Sequence, residues 1–213
     1  LTPKFRLVFF DVDSTLVTIE GIDVLAGGHA EIARLTEAAM NGDVPLDQVY
    51  ARRLEIIRPT RTAVDALGAQ YCRSLVEGAE ETISTLQGAG VQVQLVSAGI
   101  AQAIEPLGRM LNIPQRAIHA VSLKFEGDRY VDFDRRSFLT RPGGKELVVR
   151  QIRARSHGKA AFVGDGVSDL ETKPAVDLFI GFGGVAIRSQ VRDQADVYVS
   201  EPRLSAVLAY LVE

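Results

Sequence analysis

From Val76 onwards, short runs of apolar, β-forming residues alternate with helical stripes, and this alternation leaves few architectures open. Strands that are apolar throughout are buried on both faces, and helices that link them make neighbouring strands parallel. The pattern predicts strands over 91–96, 117–121, 160–164, 178–181 and 197–199. Helices are predicted near 79–87, 101–111, 146–155, 188–192 and 204–211. Lys124-Phe125 and Tyr130-Val131, placed around Glu126-Gly127-Asp128, predict a β-hairpin with a glycine turn.

One further strand, Leu7-Val8-Phe9-Phe10, stands far upstream. Between it and Val76 the chain shows only helical stripes. Ile32, Leu35 and Ala39 keep helical spacing up to an Asn41-Gly42 stop. Pro45 opens a second helix with Leu46, Val49, Tyr50, Leu54 and Ile57 on one face. Arg58-Pro59-Thr60 breaks it, and Ala63, Leu67 and Tyr71 mark a third. The expectation is an α/β fold: a core of residues 1–16 and 76–213, with a parallel sheet flanked by helices, and a helical cap of residues 17–75 inserted after the first strand.

Polar residues gather where these strands end, the edge at which open parallel sheets bind ligands. The first strand runs into Asp11-Val12-Asp13-Ser14-Thr15. If Asp13 is still extended, both carboxylates point to one side, and either one takes up a proton or a cation lies between them. A hard divalent ion such as Mg²⁺ suits an all-oxygen site. Taken alone, the stretch reads equally well as a strand-to-helix turn with Asp13 or Ser14 as N-cap. Ser97-Ala98-Gly99 follows another strand, as a helix cap or as a hydroxyl and amides aimed at an anion. In Gly143-Gly144-Lys145 the glycines allow close approach to something negative, which Lys145 can share. Gly164-Asp165-Gly166-Val167-Ser168-Asp169 repeats the pattern of an apolar strand followed by two acids. Four carboxylates at one sheet edge need compensation, which Mg²⁺ and Lys145 together supply.

The rest of the composition narrows the partners. The chain has 213 residues, 46% of them hydrophobic, enough for a sizeable core. A net charge of −3 offers no basic surface for nucleic acid, and no apolar run approaches membrane-spanning length. Cys72, the single cysteine, cannot form an internal disulfide; it is expected as a small buried apolar group, in keeping with a reducing cytoplasm. The first residues do not read as a signal peptide, and a start at Leu1 leaves the expectation that a few residues precede it.

Asp11-Val12-Asp13-Ser14-Thr15, Ser97, Lys145 and Gly164-Asp165-Gly166-x-x-Asp169, in this order and spacing, resemble the haloacid-dehalogenase superfamily of phosphohydrolases. Glu20-Gly-Ile-Asp, Ala39-Met40-x-Gly42-x-Val-Pro45, Arg53-Leu, Leu111-Asn-Ile-Pro114 and Phe179-Ile-Gly-Phe-Gly-Gly184 resemble the branch of it that hydrolyses phosphoserine. The likeness spans nearly the whole chain and implies a Rossmann-like core with a small helical-bundle cap.

It also implies roles. Asp11 would be the nucleophile and Asp13 the general acid and base. Mg²⁺ would be held by Asp11, Asp165 and the backbone carbonyl of Asp13, with Asp169 as a further acidic anchor that orients Lys145. Ser97, Lys145 and the amides of Ala98 and Gly99 would hold phosphoryl oxygens. Glu20 would receive the ammonium of phosphoserine, Arg53 its carboxylate, and Met40 would line the apolar side. The helical stripe supports Arg53 independently: it falls on the inward face, where an arginine snorkels or meets an anion, whereas Arg52 falls off it. Ala98 stands where this branch usually has glycine, Ser168 where it has Asn or Thr, and Leu46 where Phe is common. Gly181-Phe-Gly-Gly184 lacks a nucleotide fingerprint and reads as a tight turn. The implied reaction is Mg²⁺-dependent conversion of O-phospho-L-serine to serine by a cytoplasmic monomer or homodimer. Its alternatives are phosphoryl transfer to an alcohol such as homoserine, or hydrolysis of another small phosphomonoester.

Overall fold

The structure is a computed structural model that describes residues 1–213. It opens on β1 (Leu7–Phe10), whose residues are all buried. Four helices follow: α1 (Gly21–Leu25), α2 (Ala30–Asn41), α3 (Leu46–Ile57) and α4 (Arg61–Arg73). α2 ends at Gly42 in the left-handed conformation (φ 80°), as the Asn41-Gly42 pair predicts. Thr60 begins α4 by accepting a hydrogen bond from the Ala63 amide, so the break after α3 is also a start signal. Alternation then sets in with α5 (Ala79–Gly88), β2 (Gln92–Ile100), α6 (Ala101–Met110) and β3 (Ile118–Val121). The hairpin of β4 (Leu123–Glu126) and β5 (Arg129–Phe133) forms its own small sheet. The chain closes with α7 (Gly144–Arg153), β6 (Ala160–Gly164), α8 (Val167–Leu170), β7 (Leu178–Phe182), α9 (Ser189–Gln194), β8 (Val197–Val199) and α10 (Leu208–Leu211). No helix is long and apolar enough to cross a membrane.

The main sheet has the order β3-β2-β1-β6-β7-β8, with each neighbouring pair parallel. β1 is therefore central, and the strand order reverses beside it. A reversal of this kind opens a crevice at the carboxyl ends of the strands. Phe9, Phe162 and Phe179 stack across β1, β6 and β7 with ring centroids 6.1 and 6.2 Å apart. All three are fully buried, each contributing roughly 1.5–3 kcal/mol. These rings hold the strand ends that carry Asp11 and Asp165 in fixed register.

The helices between β1 and α5 are tied down at both ends. Gly68 lets α4 lie directly on α6, since a Cβ there would stand 3.1 Å from the Ala103 carbonyl oxygen. At the start of α4, Asp128 of the hairpin turn accepts hydrogen bonds from the Thr62 amide and hydroxyl at 2.7 and 3.0 Å.

Several local expectations change. β2 runs on through Ser97-Ala98-Gly99 to Ile100, with a register shift against β3, so Ser97 is not a helix cap; Ile100 occupies that position. Asp13 lies in a turn rather than an extended strand, and no helix starts at Asp13 or Ser14. β7 likewise continues through Phe182, so Gly181 and Phe182 belong to the strand, and the chain bends only at Gly184-Val185. The 204–211 helix is a 3₁₀ turn that passes into α10. Cys72 is half-buried rather than buried, because α4 turns that side partly outward. The two glycines at the start of α7 serve the chain itself. Gly143 takes a left-handed φ of 69° and donates to Glu171, and Gly144 abuts the Phe138 carbonyl.

Candidate active site

Asp11 sits one residue beyond β1, and its amide still donates to the Val163 carbonyl of β6 at 3.0 Å. That last rung brings the ends of β1 and β6 together. Asp11, Asp165 and Asp169 each place one carboxylate oxygen within 4.8 Å of the others, and all three are buried. Lys145, in the first turn of α7, reaches into the group. Its Nζ lies 2.9 Å from Asp11 Oδ2 and donates to Asp169 Oδ1 at 2.6 Å. Burial works against its charge, but Asp11 and Asp169 outweigh that and hold it protonated well above the usual range. Three of the four acids expected at this edge thus lie together with Lys145, and Asp169 accepts its hydrogen bond.

The cluster fits a hard cation. Asp11 Oδ1 is fully buried without a hydrogen-bond partner, an arrangement that is costly unless a cation satisfies it. All donors are carboxylate oxygens, the set that Mg²⁺ and its like prefer. Burial, with the charges of Glu20 and Asp11, pushes the Asp165 carboxyl up to about 7 against the pull of Arg188.

The Asp13 side chain stands apart from that cluster. Its Oδ1 accepts hydrogen bonds from the Tyr71 hydroxyl at 2.6 Å and the Gly21 amide at 3.0 Å. Burial pushes the carboxyl up to about 7, with the Tyr71 hydroxyl opposing and the charge of Asp11 reinforcing. Two neighbouring acids therefore have different surroundings: Asp11 is paired with an ammonium, Asp13 is held by neutral donors. Environments of that kind separate acid–base roles.

A cavity of about 70 Å³ opens beside these groups, small enough to admit only a small ligand. Asp11, Asp13, Glu20, Met40, Arg53, Ser97, Ala98, Gly99, Lys145 and Ser168 all line it, whereas Asp165 and Asp169 lie behind it. Ser97 Oγ accepts from the Gly99 amide at 2.9 Å, which leaves its own proton free to donate. On α3, Arg53 is 7% exposed while Arg52 points outward towards Glu31, as the helical stripe predicts. Arg53 Nη1 donates to Thr36 at 3.2 Å, and its Nε is buried without a partner. Glu20 lies just ahead of α1 and accepts from Ser14 Oγ at 2.6 Å. Burial and the charge of Asp13 push its carboxyl up to about 8. The cavity is thus lined by a guanidinium at Arg53, an acid at Glu20, and a hydroxyl and an ammonium at Ser97 and Lys145.

Three further residues belong to the site. Arg188 donates to Asp165 Oδ2 at 3.1 Å and to Asn41 at 3.2 Å. Tyr50 donates to the Ala98 carbonyl at 3.0 Å, and Tyr71 holds Asp13. The tyrosines had a usable signal, since each lies on an inward helical face where a buried hydroxyl needs a partner. Arg188 had none.

Comparison with known proteins agrees with this geometry. Residues 8–172 match the family model of haloacid dehalogenase-like hydrolases. A phosphoserine phosphatase from Bos taurus is 40% identical over 199 residues, covering 91% of this chain and 88% of its own length. The solved structure of a substrate-bound phosphoserine phosphatase complex superposes with a TM-score of 0.84 at 25% identity, covering 97% of this chain and 98% of that one. A phospho-aspartyl intermediate analogue of phosphoserine phosphatase gives 0.84 at 26% identity, covering 98% and 99%.

Proposed function

The chain belongs to the haloacid dehalogenase-like hydrolases and, among them, to the phosphoserine phosphatases, and from that premise we propose how this phosphoric monoester hydrolase acts and on what. Its substrate is O-phospho-L-serine. The observation that carries the reading is the pair of acids after β1, Asp11 bound to Lys145 and Asp13 held by the Tyr71 hydroxyl and the Gly21 amide.

Asp11 attacks phosphorus, forming an acyl phosphate as the bond from phosphorus to the serine oxygen breaks. The electron pair of that bond stays on the departing oxygen, which takes the proton of Asp13. A water then attacks the acyl phosphate and gives its proton to Asp13, releasing phosphate and restoring Asp11. Lys145, Ser97 and the neighbouring amides bind the phosphoryl oxygens as their charge shifts. Asp11, Asp165 and the Asp13 carbonyl would hold Mg²⁺, with Asp169 as an outer anchor. When bound, the ion supplies the positive charge that neutralises the phosphoryl group and the acid cluster.

Residues 17–75 act as the cap that selects the substrate. Arg53 has donors to spare for a carboxylate, and Glu20, which lines the same cavity, receives the ammonium. Tyr50 ties this cap to the strand end at Ala98. A phosphate-release screen over small phosphomonoesters with Mg²⁺, including both phosphoserine enantiomers and added alcohols, tests the reading. L-phosphoserine is expected to lead, with serine and free phosphate as products. Preference for another ester, or phosphoryl transfer to the alcohol, counts against it.

A further inference from the structure

We propose that Tyr71 is a positioning residue for Asp13: with Gly21, it fixes which oxygen of that carboxyl group faces the substrate. The proposal rests on the reading of Asp13 as proton donor to the departing alcohol.

Tyr71 is fully buried near the end of α4, the helix that lies on α6 and is fastened to the hairpin at its start. A fixed element therefore delivers its hydroxyl. That hydroxyl and the Gly21 amide both donate to one oxygen, Asp13 Oδ1, at 2.6 and 3.0 Å. An oxygen that already accepts two donors is a poor place for a proton, so the carboxyl carries it on Oδ2. Oδ2 points the other way: a Cβ at Gly99 would stand 3.1 Å from it, which places it over the strand end beside Ser97. Proton transfer then breaks the Oδ2–H bond as the alcohol O–H bond forms and the phosphorus–oxygen bond opens.

Gly21 completes the arrangement. A Cβ there would lie 2.0 Å from the Tyr71 hydroxyl oxygen, so this position cannot carry a side chain while the phenol reaches Asp13. Glycine is a poor residue with which to begin a helix as short as α1. The approach of the phenol accounts for its presence.

Tyr71→Phe, Gly21→Ala, the double variant and Asp13→Asn separate positioning from packing. The readout is kcat/KM with saturating Mg²⁺ over a series of substituted phenyl phosphates that differ in the acidity of the phenol released. Acidic phenols leave without protonation, whereas weakly acidic ones require it. Because kcat/KM covers only the steps up to departure, breakdown of the acyl phosphate does not enter. Tyr71→Phe is expected to leave the most acidic phenol's ester within about twofold and to slow the least acidic by about tenfold, steepening the dependence on leaving-group acidity. Asp13→Asn steepens it further. Gly21→Ala, which displaces the phenol, changes the slope in the same direction, and the double variant is no worse than either single one. In metal-free protein, Gly21→Ala lowers Tm less when combined with Tyr71→Phe than in the wild type, because the clash is then relieved. A uniform loss across the series, or none, in Tyr71→Phe while Asp13→Asn steepens the slope makes Tyr71 a packing residue and overturns the proposal. An unchanged slope in Asp13→Asn removes the underlying reading, and the proposal with it.

Discussion

Lys145 Nζ lies 2.9 Å from Asp11 Oδ2, and both side chains are 4% exposed. Asp11 and Asp169 together hold the Lys145 ammonium charged against its burial. Replacing Lys145 by Met leaves Asp11 and Asp169 buried without their ammonium. Removal of one partner from such a pair destabilises by about 3–5 kcal/mol. In metal-free protein that loss appears as a lower urea midpoint. Mg²⁺ is expected to restore part of the stability, since it supplies charge to the same carboxylates. Turnover stays lost, because the ion does not replace a donor to the phosphoryl oxygens. Lys145→Met with substantial phosphatase activity contradicts the role given to this residue.

Metal-free protein should show an inverted acid response. Asp13 and Asp165 are pushed up to about 7 and Glu20 to about 8 in the fold, against about 4 in an unfolded chain. Well below pH 4, both states are protonated and the protonation difference of these groups vanishes. Above it the unfolded chain ionises while the folded one retains its protons, so their contribution to stability falls as pH rises through this window, levelling off above pH 8. Mg²⁺ favours the ionised cluster and reverses that trend. The difference in Tm with and without Mg²⁺ therefore widens from pH 5 to pH 8. A difference that is constant or shrinks contradicts a metal held by this acid cluster.

Arg53 and Arg52 are neighbours on α3 with opposite surroundings, which makes them a test of selectivity. Arg53→Ala and Glu20→Gln should each damage phosphoserine turnover far more than that of an uncharged aryl phosphate. Charged hydrogen bonds contribute roughly 1.5–3 kcal/mol, so kcat/KM falls on the order of tenfold to a hundredfold. Arg53→Lys recovers only part, because an ammonium lacks paired donors. Arg52→Ala leaves both substrates unaffected. Equal losses with the two substrates would mean that the cap encloses the site without choosing its ligand.

Legibility in the sequence followed the range over which each signal acts. The acids after β1 and β6 were readable because an apolar strand and its end are local patterns, and a parallel sheet aligns such ends. The inward placement of Arg53 was readable from helical register, whereas its role came from the resemblance. The surroundings of Asp13 were not, since they depend on Tyr71, 58 residues away, whose hydroxyl reaches it only past a glycine. Arg188 stands extended just before α9 and meets Asp165 and Asn41, 23 and 147 residues distant, so its place at the helix start that the stripe predicted did not announce these partners. Ser97-Ala98-Gly99 was open between a helix cap and an anion-facing hydroxyl, because no local pattern shows that β2 runs on through an irregular stretch between its Val96 and Ile100 pairings with β3.

The most direct measurement concerns Asp11 itself. Protein mixed with Mg²⁺ and radiolabelled phosphoserine, quenched in acid within milliseconds and digested, should yield one labelled peptide, that containing Asp11. The label is stable in acid and released by hydroxylamine, as an acyl phosphate requires, and Asp11→Asn abolishes both label and turnover. Label on another residue, or substantial turnover by Asp11→Asn, contradicts the account.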